Sequence, residues 1–179
     1  MSAFAVVVQL EVGTDTGDAA VQRIVSAFEH ASDEISDFGK HVFPRFVPVF
    51  EAAEKRQFDS EGEGPYAGHW AALSAKYAEW KQKTAPGQPT LVLSGDLREA
   101  LTQSSSPLAA RDYSASQFNF GTVNVPYASF HQLGTAFMPA RPPFDFDSQF
   151  EDELETQTHL GIVDAVRAGG VDFFAEVTP

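Results

Sequence analysis

From Val21 onward the chain carries one helical face. Val21, Ile24, Val25, Phe28, Ala31, Ile35, Phe38 and Val42 recur at three- and four-residue steps, the spacing that lines apolar side chains along one side of an α-helix. Gln22, Arg23, Glu29, Asp33 and Asp37 fall on the opposite side, and Asp18 is placed to cap the start. So long an amphipathic helix must bury its face against something, so the rest of the fold has to supply a cover. The segment from Gly39 to Pro44 should break or bend it. Proline has no amide hydrogen and its ring clashes with the preceding turn, and Pro44 and Pro48 both fall here. A second helical segment is expected to run to about Phe58, with Phe43, Phe46, Val47, Phe50 and Ala53 as its apolar side.

The cover is β-structure. Phe4, Val6, Val8, Leu10 and Val12 alternate with Gln9 and Glu11 on the other face, the period-two pattern of a strand. Leu108 to Val125 returns to short alternating segments and predicts a hairpin turning near Asp112 to Ser116. Asp59 to Gly68 holds three glycines, a proline and several acids and reads as a loop. Trp70 to Lys83 predicts a short helix, ended by the Pro86–Pro89 region. A further helix is expected to begin at Asp96, with Asp96 as cap, Glu99 at capping-box spacing, and Leu97, Ala100 and Leu101 buried. Tyr127 to Leu133 predicts a helical turn closed by Gly134, and Pro139 to Pro143 a rigid extended stretch. Gln149 to Arg167 predicts a final helix, weakened by Gly161, and Val171 to Val177 a last strand or a tail. Helices and strands are mixed without regular β-α-β alternation. The expectation is α+β, a small antiparallel sheet on a long, kinked N-terminal helix with extended loops, in one domain spanning 1–179.

Charge narrows the functional classes. Twelve Lys and Arg stand against 25 Asp and Glu, a formal net charge of −13. Nucleic-acid affinity rests largely on Lys and Arg neutralising phosphates, so gripping DNA is disfavoured, and so is attraction to an acidic membrane surface. Excess acid keeps a protein soluble; equally, it suits a surface past which DNA must slide. The chain has no cysteine, which excludes disulfides and thiolate metal sites. Met1 to Val12 has no basic n-region and no small-residue cleavage site, so no signal peptide is expected. No apolar run approaches the roughly 20 residues that span a bilayer.

Catalytic and cofactor signatures are sparse. Neither a phosphate-cradling glycine loop nor H-E-x-x-H occurs, and no cofactor is expected. His30, His41, His69, His131 and His159 are scattered. Glu151, Asp152, Glu153 and Glu155 read as a solvated helix start that suits the macrodipole, with a calcium site as the other reading. Ser94, His131 and Asp96 supply the residue types of a hydrolase, but nothing in the sequence sets serine and histidine within hydrogen-bond reach. A turn before a helix already accounts for Ser94. His131 has a structural reading, one ring nitrogen bonded nearby, and a functional one, titration near neutral pH or a partner contact. Trp70, Tyr77 and Trp80 have near-helical spacing and read as core, with Trp80 the one suited to anchor an interface.

Four segments in fixed order carry a family likeness. They are Trp70-Ala71-Ala72-Leu73-Ser74, Leu93-Ser94-Gly95-Asp96-Leu97, Tyr127-Ala128-Ser129-Phe130-His131-Gln132-Leu133-Gly134, and Pro139-Ala140-Arg141-Pro142. Together they resemble the virion morphogenesis family of tailed phages, the tail-completion or neck proteins, over about half of the chain. Here Pro143 intervenes before Phe144, whereas the family usually places its phenylalanine directly after the proline.

The resemblance implies a structural virion protein and no enzyme. Rings of identical subunits, hexamer or dodecamer, would sit at the head–tail junction, between portal-side adaptors and the tail terminator or tube. DNA would pass through without specific binding, and no membrane would be involved. Head-to-tail contacts between identical subunits close into a ring when the rotation permits. Interface or motif candidates are Trp70, Trp80, Tyr127, His131, Gly134, Pro139, Arg141 and Phe144. The planar fork of Arg141, held in rigid chain, suits a carboxylate on a neighbour. Alternatives are a tail-terminator ring, a small hydrolase using Ser94 and His131, and a soluble acidic binding module.

Overall fold

The computed structural model describes residues 7–8, 18–62, 70–146, 148–171 and 173–174. Among them, α-helices predominate over two short antiparallel sheets. In chain order the elements are β1 (Val7–Val8), α1 (Asp18–Ser36), α2 (Phe38–His41), α3 (Phe43–Asp59), α4 (Ala75–Thr84), α5 (Asp96–Thr102), β2 (Ala109–Tyr113), β3 (Phe118–Thr122), α6 (Ala128–Leu133), α7 (Ser148–Ala168) and β4 (Phe173–Phe174). This is an α+β fold with small antiparallel sheets. The expected strand from Phe4 to Val12 is described only at Val7–Val8, which pairs antiparallel with Phe173–Phe174; the rest lies outside the described residues. The loop expected from Asp59 to Gly68 also lies partly outside them.

The long N-terminal helix is three pieces. It breaks first at Asp37, whose φ of −103° and ψ of 81° are not helical, and again at Val42. Pro44 is the second residue of α3, where its missing amide has no intrahelical partner to lose. Pro48 lies inside α3 and removes one bond from its ladder.

The chain folds into two compact units. The first comprises residues 1–45, 113–118 and 156–179; the second comprises 46–112 and 119–155. In the first unit Ala31, Val166 and Val171 form a small core, with Ala27, Ile35 and Ile162 around it. Gly161 serves a close approach there. A Cβ at this position would lie 2.7 Å from the His41 carbonyl oxygen and 2.9 Å from Val42 Cα. The helix tolerates the weak helix former because no other residue fits. Arg45 pairs with Asp164, and His41 Nε2 lies 2.7 Å from Glu34.

The second unit has the larger core: Phe58, Trp70, Val92, Leu97, Ala100, Leu101 and Val125. The hairpin's Phe120 packs on Phe50 of α3 at 4.9 Å between ring centroids, and Phe50 also meets Phe146 and Phe150. Arg111 of β2 ties these parts together. Its guanidinium donates to the carbonyls of Ala100 and Leu101 at the end of α5 and to Gly121 of β3, and stacks over Phe120. It thereby satisfies helix-end carbonyls that lack an intrahelical donor.

Two helix starts differ from expectation. Residues 70–73 are not helical; Ser74 caps α4 by accepting from the Tyr77 amide at 3.3 Å. The cap of α5 is Gly95, with φ of 98°, and Asp96 is the first helical residue with no side-chain cap bond. Ser94 Oγ accepts from the Asp96 amide at 3.4 Å instead.

Candidate functional site

The site lies in the second unit and is built around α6. Gln132 faces away from the helix axis and clasps Phe144 twice. Its Nε2 donates to the Phe144 carbonyl at 2.9 Å, and its Oε1 accepts from the Phe144 amide at 3.1 Å. One amide side chain therefore substitutes for a strand partner and pins an otherwise irregular segment. Gly134 ends α6 with φ of 72°. A Cβ there would lie 2.8 Å from the Ala140 amide nitrogen, so glycine is required both by backbone angle and by space. The chain then makes a tight excursion closed by a Thr135–Met138 bridge. Phe137 stands at its tip, 100% exposed.

The excursion returns through Arg141, whose amide donates to the His131 carbonyl at 2.8 Å. The Arg141 side chain is only 4% exposed. Its Nε donates to the Ala71 carbonyl at 2.5 Å and its Nη2 to the Ala72 carbonyl at 2.9 Å. Two of the guanidinium's nitrogens are thus spent on the chain's own backbone, where they tie the loop to residues 71–72. Trp70 completes the tie, its indole Nε1 donating to the Pro142 carbonyl at 2.9 Å while its ring meets Phe58 edge-on.

These ties enclose a cleft of about 620 Å³. Leu73, Leu91, Leu93, Met138 and Pro139 give it apolar walls, and Lys81, Arg141 and His131 contribute nitrogen groups. Among the described residues no Asp or Glu lines it. Lys81 is 5% exposed and donates to the Pro89 carbonyl. Burial pulls its ammonium below the ordinary lysine range, and the Glu61 carboxylate opposes that shift. Burial likewise holds His131 below the usual histidine range, with the charge of Arg141 adding to it. His131 Nδ1 is buried without a hydrogen-bond partner.

The sequence candidates divide clearly. Tyr127, His131, Pro139 and Arg141 line the cleft; Gly134 shapes the loop beside it. Trp70 is a buried strut. Phe144 is the residue clasped by Gln132 and packs on the main core. Trp80 is 46% exposed and lies against the exposed Tyr77 at 5.3 Å, so the expected core role does not hold for this pair.

Ser94 and His131 line the same cleft, but Asp96 does not, and among the described residues no carboxylate orients the His131 ring. Among the described residues no group of three His, Asp or Glu could hold a metal, and no helix is long and apolar enough to cross a membrane.

The sequence reading missed Lys81, Gln132 and Phe137 as site residues. Lys81 sits between Trp80 and Gln82 on a short polar helix and carries no mark of burial. Gln132 did carry one, its place inside the quoted motif.

Compared with protein-family models, with characterised proteins and with solved structures, the chain matches none.

Proposed function

We propose that this protein is a structural subunit of the head–tail junction of a tailed phage, a tail-completion or neck protein acting as a ring of identical copies. One observation carries the reading. The four segments on which the family likeness rests, 70–74, 93–97, 127–134 and 139–142, each contribute residues to one cleft, although up to about 70 residues separate them in sequence. Arg141 and Trp70 join the first of these segments to the last by direct hydrogen bonds. Motif residues that merely filled a core would not gather around an open cleft with an exposed phenylalanine at its edge. An assembly protein works by shape and surface contact, and these are the features such contact needs.

Blocking expression of the chain during infection and examining the lysate by negative-stain electron microscopy tests this. DNA-filled heads beside separate tails are the expected outcome. Tails of abnormal length would move the assignment to the tail terminator, and intact infectious particles would remove the reading. The shared location of Ser94 and His131 favours one competitor, a hydrolase. Its relay lacks a group to orient the imidazole, and any hydrolytic activity surviving Ser94→Ala with His131→Ala would dispose of it.

A further inference from the structure

We infer that the cleft of the second unit is the docking site for an acidic, apolar segment of a partner protein. This deepens the assembly reading, on which it rests for the partner being a protein, by naming the surface and the chemistry that fits it.

The cleft's charge stands out against an acidic chain. Acids outnumber bases by 25 to 12 in this chain, yet among the described residues the cleft lining includes two cations, Lys81 and Arg141, and no carboxylate. Both cations are buried, so solvent screens them less than it screens the surface acids. Arg141 is held by two carbonyls through Nε and Nη2, and the Lys81 ammonium by one. Those neutral partners fix the cations in place without cancelling their charge. Glu61, beside Lys81, accepts from the Thr90 amide at 2.6 Å and is the acid that acts on this ammonium.

Shape and polarity set the rest of the ligand. A volume of about 620 Å³ falls in the range of sites that enclose a compact ligand, roughly 300–1,000 Å³. The rim adds exposed Tyr77 and Leu93 together with Phe137. Aromatic and aliphatic groups at a rim that stays dry on closure are the usual anchors of a protein contact. The fitting occupant therefore presents leucine- or phenylalanine-like side chains to the walls and carboxylates toward Lys81 and Arg141.

Two fluorescein-labelled peptides test this with the full-length protein, by fluorescence anisotropy. One alternates leucine and phenylalanine with aspartate and glutamate; its twin carries lysine in place of every acid. The acidic peptide is expected to bind about tenfold more tightly than the twin, and progressively less tightly as salt is raised. Leu93→Glu, an exposed rim change, should weaken it by about tenfold, and Phe137→Ser by a smaller factor. Thermal melting of each variant checks that the fold is kept. Equal binding of the twins, undiminished binding to Leu93→Glu, or no binding of the acidic peptide overturns the inference. Leu93→Glu changing only the protein's own sedimentation, with peptide binding intact, also overturns it and points to a second copy. Should the acidic peptide bind as expected while loss of the chain leaves infectious particles intact, the cleft chemistry stands and the phage reading falls.

Discussion

The two units are held together by different means. The second buries Phe58, Leu97 and Leu101 almost completely and then adds long side chains that reach from one segment to the backbone of another: Trp70 to Pro142, Gln132 to Phe144, Arg141 to Ala71, Arg111 to Ala100. The first has a core of small residues, Ala31, Val166 and Val171, and relies on glycines that let backbones approach. It also leaves Val21, Val25 and Phe28 of α1 exposed. Side chain-to-backbone ties hold irregular segments that no ladder could hold, and they are needed where a cleft must stay open. Close backbone packing needs only regular helices and tolerates little change.

The largest effect should come from cutting a tie. Arg141→Met keeps an unbranched apolar stem and removes the donors. It should destabilise the protein by about 3–6 kcal/mol, because two charge-assisted bonds at about 1.5–3 kcal/mol each are lost together. Denaturant unfolding measures that loss. A second readout follows from His131, which burial and then the Arg141 charge hold below its ordinary value of 6.5. Its titration, followed by NMR, should move upward in the variant. A small loss of stability with an unmoved His131 would mean the tie is ornamental, and the contrast between the units would collapse.

The first unit should break by crowding. Gly161→Ala offers a better helix former, worth about 1 kcal/mol in a free helix. The added carbon meets the backbone of residues 41–42 at under 3 Å, and backbone cannot swing aside as a flexible side chain can. A net loss of about 1–3 kcal/mol is expected from overpacking. A gain in stability would show that the close approach is loose.

What the sequence made readable was local. The helical run of α1, the burial of Leu97, Ala100 and Leu101, the Gly134 cap and the hairpin turn, closed by a Ser114–Gln117 bond, all follow from period or from a single turn residue; the expected burial of the α1 face does not hold at Val21, Val25 and Phe28, which are exposed. The extent of α7 was readable within two residues. What stayed hidden was long-range or contrary to type. Nothing in residues 70–72 announces that a loop 70 positions later will take up the carbonyls of Ala71 and Ala72, so a helix was expected where the chain is not helical. Trp80 lies at the right spacing for a core and is exposed, while its neighbour Lys81 is the residue of α4 that turns inward. The gathering of the four motif segments was legible solely as an ordered likeness; their cleft, and buried Lys81 in its wall, needed the fold.

Glu54 is the clearest case of a missed signal. It lies on the apolar stripe of α3, four residues beyond Phe50 and four before Phe58, and it is 0% exposed. Neither carboxyl oxygen has a hydrogen-bond partner. Burial pushes its pKa well above the ordinary 4.5, against the opposing charge of Arg111. The folded state therefore keeps a proton that the unfolded chain gives up. Stability should fall as pH rises from 4.5 toward the raised folded value, and the loss should then stop growing. Glu54→Met removes both polar atoms at similar volume. It should flatten that slope and add about 1–3 kcal/mol at neutral pH. Parallel pH profiles for the two proteins would mean that the carboxyl is not protonated in the fold. The second unit would then contain an ion partner that alters how its core is read.

The smallest effect sharpens the comparison from the other side. Arg45 and Asp164 form the most extensive long-range ion pair described in the first unit, Arg45 also reaching Gln157 at 3.5 Å. Both side chains are more than one-third exposed. Water and salt screen such a pair, and ordering two mobile side chains offsets part of the attraction. A double-mutant cycle with Arg45→Ala and Asp164→Ala should give a coupling of at most about 1 kcal/mol, shrinking further in high salt. A larger, salt-resistant coupling would mean that the first unit, too, depends on specific polar ties. The glycine contacts would then be a consequence of its packing rather than the cause. A small coupling leaves backbone approach as what holds this unit, and predicts that it yields first to any residue that adds a Cβ at residue 161.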